Sequence, residues 1–209
     1  MRHLPTEAYE QLRSEKLLKL PCRTTLQKYF GSTSSEISFS QLVRSRLKVE
    51  LEDLDTAQSK VCSLVVDEMR IKQKLLYHKQ RDAFVGDVDL SPDLEYLAPA
   101  TEDQHLASSL LCFLICGLYA RYKIPAGYFF TKGCTGDQLA EVIRHVIIKR
   151  ASIGFDIVRV VTDNHKINVN AMEILSGGEA RIRAPHPAGP STQIFFAFDQ
   201  SRVIKKIRS

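Results

Sequence analysis

The chain has 209 residues, 44% hydrophobic and 25% charged, a globular composition that excludes a disordered or fibrous class and supports a core needing no disulfide or metal staple. Its formal charge of +5 is a mild basic excess, compatible with a polyanionic partner without requiring one. The opening MRHLPTEAYEQLRSEK is polar, so no secretory leader is expected, and the most apolar window, residues 106–119, is shorter than the roughly 20 residues of a membrane span.

From residue 6 to 30, apolar Ala8, Tyr9, Leu12, Leu17, Leu18 and Leu20 recur at helical spacing on a charged background. Pro21 interrupts the pattern, and TTLQKYF opens a second helix with Thr24 or Thr25 as its cap. The pair reads either as a helix-turn-helix or as a helical hairpin packed on the rest. GSTSSEIS, residues 31–38, is a Ser-rich break. Helical spacing returns over 39–57 with Leu42, Val43, Leu47, Val49 and Leu54, which predicts a helix docking on the domain downstream of it. The expected organisation is a helical segment over 1–58 and an α/β domain over 59–209.

Strand and helix signals then alternate. Strands are expected over 61–66, 74–79 and 110–118, with a short one over 127–131. Residues 137–151 form an amphipathic helix with Leu139, Val142, Ile143, Val146 and Ile147 on one face and Thr135 as N-cap. DIVRVVT, 156–162, is a β-branched strand, followed by a helix over 166–175 that Ser176-Gly177-Gly178 closes. EARIRAPHPAGPS, 179–191, carries three prolines and reads as a surface loop before a last strand over 193–198 and a basic helix beginning at SRVIKKIRS. The five cysteines have no CxxC pair and read as reduced thiols of an intracellular protein. Cys112 and Cys116, four apart, would make a metal pair only in a helix, and are otherwise small buried apolar side chains.

Three of these strands finish on a carboxylate: Asp67, Asp163 and Asp199. If the Asp67 and Asp163 strands are parallel neighbours, their carboxylates emerge at one sheet edge and repel each other unless a cation lies between them. Mg²⁺ suits such a pair, because it takes hard oxygen ligands from one or two carboxylates, phosphate and water. Two ions so held promote phosphoryl transfer. Acids that merely meet water at strand ends are the alternative.

Several ordered blocks, SLVVDEMRIKQKLLY, ICGLYARYKIPAGYFFTKGCTGDQL, VVTDNHKIN and IFFAFDQSRVIKKIRS, resemble the P-element transposases and their THAP-domain relatives. LKLPCRTTLQKYF is similar to the block that precedes the catalytic core there, so the resemblance covers about residues 5–209. It implies an RNase H-like mixed sheet with flanking helices, incomplete at its C-terminus, behind a helix-turn-helix. A DDE/D site performing metal-dependent DNA cleavage and strand transfer comes with that fold. The resemblance places the first two catalytic, metal-holding acids at Asp67 and Asp163, with Mg²⁺ or Mn²⁺ as cofactor. Asn168 matches a position that is often Asn in the family, and Asp199 reads as a helix N-cap rather than as the third acid. That third acid would fall beyond Ser209, and the THAP module and the GTP-binding insertion of full-length relatives have no counterpart among these residues. No phosphate loop of the GxxxxGKS type occurs.

Basic residues cluster at Arg13, Lys16, Lys19, Arg23 and Lys28, and again at Arg202, Lys205, Lys206 and Arg208. Of these, Arg23, Lys28, Lys205, Lys206 and Arg208 are the candidates for phosphate-backbone contact, a salt-sensitive and sequence-tolerant mode of binding. Solvated faces are the alternative. The expected partners are DNA, as transposon ends and target, and a second copy of the chain, with no membrane partner and a nuclear location. Two functions fit: a P-element-like transposase fragment, or a domesticated, non-catalytic module that keeps the fold for nucleic-acid or protein binding. A generic α/β binding domain is a third.

Overall fold

The computed structural model describes Gln11, Ser14 and Glu15, and residues 41–199 apart from 79–81, 91, 98–105 and 180. The chain divides into two compact units, Met1–Glu36 and Ile37–Ser209. In the first, the Glu15 N–H donates to the Gln11 carbonyl at 3.0 Å, the bond of one α-helical turn. The expected helix-turn-helix lies outside the described residues, as does the basic C-terminal helix.

The second unit opens with helix α1, Gln41–Glu52, whose Leu47 is fully buried in the common core. This helix therefore belongs with the sheet. Strand β1, Val61–Arg70, comes next, and then a hairpin of β2, Leu76–His78, and β3, Ala83–Val85. After a short 3-10 turn come β4, Ser109–Gly117, and β5, Lys123–Thr131. Helix α2, Gly136–Ala151, strand β6, Asp156–Thr162, and helix α3, Lys166–Leu175, precede the closing strands β7, Arg183–His186, and β8, Gly189–Phe198. Six of the strands form one mixed sheet in the order β5-β4-β1-β6-β8-β7. The β1–β6 and β6–β8 pairs are parallel and the others antiparallel. This is the RNase H-like arrangement.

Side chains alternate across the sheet with period 2. Leu64 and Val66 of β1 face Ile115 and Phe113 of β4, and all four are buried with Leu139, Val142, Ile143, Val146 and Ile147 of α2 in one core. Phe113 meets Phe129 of β5 edge-on, with centroids 5.6 Å apart and planes at 90°, the favoured aromatic geometry. Thr135 caps α2 as expected: its hydroxyl accepts from the Gln138 N–H at 3.2 Å, and the Gln138 side chain accepts from the Thr135 N–H at 3.0 Å, a complete capping box. At the other end of α2, the buried Arg150 guanidinium donates to the Ala126 carbonyl of β5.

Four elements differ from expectation. Strand β1 does not stop at Val66 but runs four residues farther, because β4 continues to pair with it through Arg70↔Ser109. The strand expected over 74–79 is short and lies outside the main sheet, paired with β3 alone. Strand β5 begins at Lys123, well before residue 127, and tolerates Pro125 because it is an edge strand with a register shift opposite Phe113 and Leu114. The proline-rich stretch 179–191 is not simply a loop, since it contains β7 and the start of β8. Pro185 sits on β7, the opposite edge, where a missing N–H costs no ladder bond on the outer side.

Truncating Phe113 to alanine removes the ring that ties β4 to β5. A destabilisation of about 3–5 kcal/mol is expected, to be read as a lower denaturant midpoint; a loss below about 1 kcal/mol would contradict this packing.

Candidate active site

The register of the central strands places the two acids. Ser63 pairs with Arg159, Leu64 with Val160 and Val65 with Val161 in the parallel β1–β6 ladder. Asp67 and Asp163 each stand two residues beyond the last of these pairs; alternation puts Asp67 on the face of Val65, and Asp163 follows the end of β6 directly. Adjacent strands lie about 4.8 Å apart. Residues of this face do meet across the pair, since Arg159 Nε donates to Ser63 Oγ at 3.0 Å. Here β6 ends while β1 continues, and burial along β1 changes from buried at Val66 to exposed at Asp67.

A cleft of about 720 Å³ opens at this sheet end, lined by Asp67, Glu68 and Asp163 together with Arg70, Lys132 and Asn168. His165, Gln73, Ser108 and Ser109 complete much of the rest. Asp163 is held at the start of α3. Its Oδ1 accepts from the His165 N–H at 3.1 Å and from Asn168 Nδ2 at 2.5 Å, an Asx-type turn closed by a side chain of the first helical turn. A carboxylate in this position is further stabilised by the helix N-terminus. Asp67 Oδ1 accepts from the Glu68 N–H at 3.1 Å. Glu68 belongs to the opposite sheet face, where Thr131 Oγ1 donates to it at 3.4 Å.

Asp199 comes directly after β8, and its N–H donates to the Thr162 carbonyl at 2.8 Å, which continues the β6–β8 ladder by one rung. It is not among the residues lining the cleft. Arg23, Lys28, Lys205, Lys206 and Arg208 lie outside the described residues. Sequence pattern alone does not single out Arg70, Lys132 or His165. Lys132 carries a usable signal, as it stands just before the cap of α2; Arg70 carries none until β1 is known to extend that far. Cys112 and Cys116 are in strand β4, and four strand residues separate them by about 13 Å, so they do not form a metal pair.

The donor chemistry fits a hard divalent cation. Two aspartates from neighbouring strands offer carboxylate oxygens, and no cysteine lines the cleft. No group of three or more His, Cys, Asp or Glu that could hold a metal occurs among the described residues; Mg²⁺ is commonly bound through one or two carboxylates, with phosphate and water completing its shell.

The family model described as TNP-like, RNase H N-terminal domain matches residues 35–176, the span that runs from before α1 to the end of α3. The chain belongs to this family. The chain is 26% identical over 209 residues to the human protein named DNA transposase THAP9, a match covering 98% of this chain and 22% of that relative. Its fold is similar to a chain of the Drosophila P element transposase strand transfer complex, with a TM-score of 0.66 and 22% identity over 98% of this chain and 40% of that one. The chain thus spans less than half the length of either. Membership of a P-element and THAP transposase-like family, and the RNase H-like fold, agree with the resemblance read from the sequence.

Thiol titration offers a check on the packing around the sheet. Burial, and then the neighbouring Glu68 carboxylate, push Cys134 up to about 11, and burial pushes Cys62 up to about 12. Below the ordinary value of 9.0 both thiols are protonated in the folded and unfolded chain alike. Above it the unfolded chain loses these protons first, so their contribution to stability falls as pH rises from 9 toward 12. A disulfide exchange reagent at pH 8 should label Cys62 and Cys134 at least tenfold more slowly in the native protein than in denaturant; equal rates would contradict the burial.

Proposed function

We propose that this domain supplies two carboxylates of a DNA transposase active site, Asp67 and Asp163, and that the site acts on a DNA phosphodiester in the nucleus. The observation that supports the proposal is that Asp67 of β1 and Asp163, directly after its parallel neighbour β6, line one cleft. Similarity to proteins named as transposases supports the choice of chemistry.

In this reading Asp67 and Asp163 hold Mg²⁺ or Mn²⁺. The ion, when bound, activates an oxygen nucleophile and offsets charge developing on the phosphate. Asn168 and the His165 N–H keep the Asp163 carboxylate in one orientation, the role outer groups play around metal ligands. Lys132 and Arg70, at the rim of the same cleft, neutralise phosphate oxygens of the strand that enters it. Arg23, Lys28, Lys205, Lys206 and Arg208 are the further candidates for backbone contact, on the sequence alone.

A second reading, a non-catalytic DNA-binding module derived from a transposase, draws on the lack of a three-donor cluster among the described residues. Calorimetric titration with Mn²⁺ separates the two. Wild type should show weak binding that Asp67→Asn and Asp163→Asn abolish, and Asn168→Ala should weaken it about tenfold. Identical heats from wild type and both aspartate variants would leave only the second reading.

A further inference from the structure

The hairpin between β1 and β4 has no part in the core. Strands β2 and β3 pair only with each other, yet both legs are tied to the mouth of the cleft. On the way in, the Ile71 N–H donates to the Ser108 carbonyl at 2.9 Å, and on the way out the Ala107 N–H donates to the Gly86 carbonyl at 2.8 Å. Gly86 has φ of +132°, and a Cβ there would stand 2.2 Å from the Lys74 carbonyl oxygen, so the two legs close tightly at their base. Ile71, Gln73 and Ser108 line the same cleft as Asp67 and Asp163.

This arm carries apolar surface that packing does not explain. Tyr77 and Phe84 are directly opposed across the hairpin, their ring centroids 5.5 Å apart and their planes tilted by 59°. They remain 55% and 69% exposed, although a cross-strand aromatic pair ordinarily stabilises a sheet by being covered. The Tyr77 hydroxyl donates to the Asp82 carboxylate, and Asp82, at φ of +49°, belongs to the turn. The ring is thus fixed in orientation with one partner used and its face open.

Cations share the surroundings with exposed apolar side chains, among them Leu75 and Leu76. Among the described residues of this segment, Arg70, Lys72 and Lys74 are exposed on the stretch that joins the cleft to the hairpin, with Asp82 as the acid. Open aromatic faces beside a basic track are the pattern that binds unpaired nucleic acid: bases stack on the rings while the cations track the phosphates. Bases inside a duplex have no free face for such stacking. Tyr77 is four residues beyond the cleft-lining Gln73, a chain length of at most about 14 Å, so one strand can occupy both places together.

We propose that the β2–β3 hairpin is a single-strand DNA arm of the site, with Tyr77 and Phe84 stacking on a base unpaired near the scissile phosphate and Arg70, Lys72 and Lys74 holding the adjoining backbone. The proposal rests on the reading that the Asp67–Asp163 cleft acts on DNA, and its test is made in EDTA so that it does not depend on metal binding. Fluorescence anisotropy would compare a labelled single-stranded 20-mer with the matching duplex, for wild type, Tyr77→Ala/Phe84→Ala, Tyr77→Leu/Phe84→Leu and Lys72→Gln/Lys74→Gln.

Single-strand affinity should exceed duplex affinity in wild type and fall about tenfold or more in both aromatic-pair variants. The lysine pair variant should bind more weakly with a shallower salt dependence. Because the hairpin lies outside the core, all variants should keep the wild-type unfolding midpoint. A 2-aminopurine base placed along the strand should be quenched by wild type and not by the alanine pair. Undiminished binding by both aromatic variants, binding retained by the leucine pair alone, or concentration-dependent self-association lost in the variants without any change toward single-stranded DNA would each overturn the proposal; the second indicates apolar contact without stacking, and the last a second copy. Asp67→Asn binding DNA normally while leaving Mn²⁺ heats unchanged would count against the catalytic reading alone and leave the arm standing.

Discussion

Parallel pairing of β1 with β6 is the constraint on which the rest of the molecule depends. Ser63, Leu64 and Val65 are locked to Arg159, Val160 and Val161, and a slip of one residue in β1 would turn Asp67 to the other face. Such a slip is prevented by burial. Leu64, Val66, Ile157 and Val160 all lie in the core, and each would have to exchange places with a polar or half-exposed neighbour.

The two strands end differently, and that difference makes the cleft. Strand β6 gives way to α3, so Asp163 leads at once into a turn in which a backbone N–H and the Asn168 amide both address its carboxylate. Strand β1 keeps its antiparallel partner as far as Arg70. The extension carries chain past the end of its parallel neighbour, exposes Asp67, and delivers Ile71 to the hydrogen bond with Ser108 from which the hairpin springs. Acid pair, basic rim and hairpin base are consequences of one strand outlasting its neighbour.

The edges of the sheet obey a different logic. Pro125 on β5 and Pro185 on β7 stand on the two outermost strands, where a missing donor is tolerated and where further strand addition is discouraged. Inside, the ladder runs through β4, β1, β6 and β8, and within Leu110–Gly117, Val61–Val66 and Asp156–Thr162 there is no proline to interrupt it. Pro185 and the Pro-Ala-Gly that delays the expected start of β5 are marks of edge position, whereas Pro187 lies in the β7–β8 turn and Pro190 at the start of β8, before that strand reaches β6 at Phe195. Local breaker residues cannot be told from edge residues without knowing the strand order.

Periodicity and chemistry by themselves determined the class of fold, the helices α2 and α3, the capping of α2 by Thr135 and the β-branched strand before Asp163. These are local properties, set by side-chain spacing over one or two turns or a single strand, and they survive any arrangement of the elements. Tertiary structure alone decided that β1 outruns β6, that Arg70 and Lys132 border the acids, and that residues 76–85 form an arm instead of a sheet strand. Each of those depends on which strand lies alongside which, and a hydrogen-bonding partner roughly forty residues away in the chain leaves no trace in the local pattern.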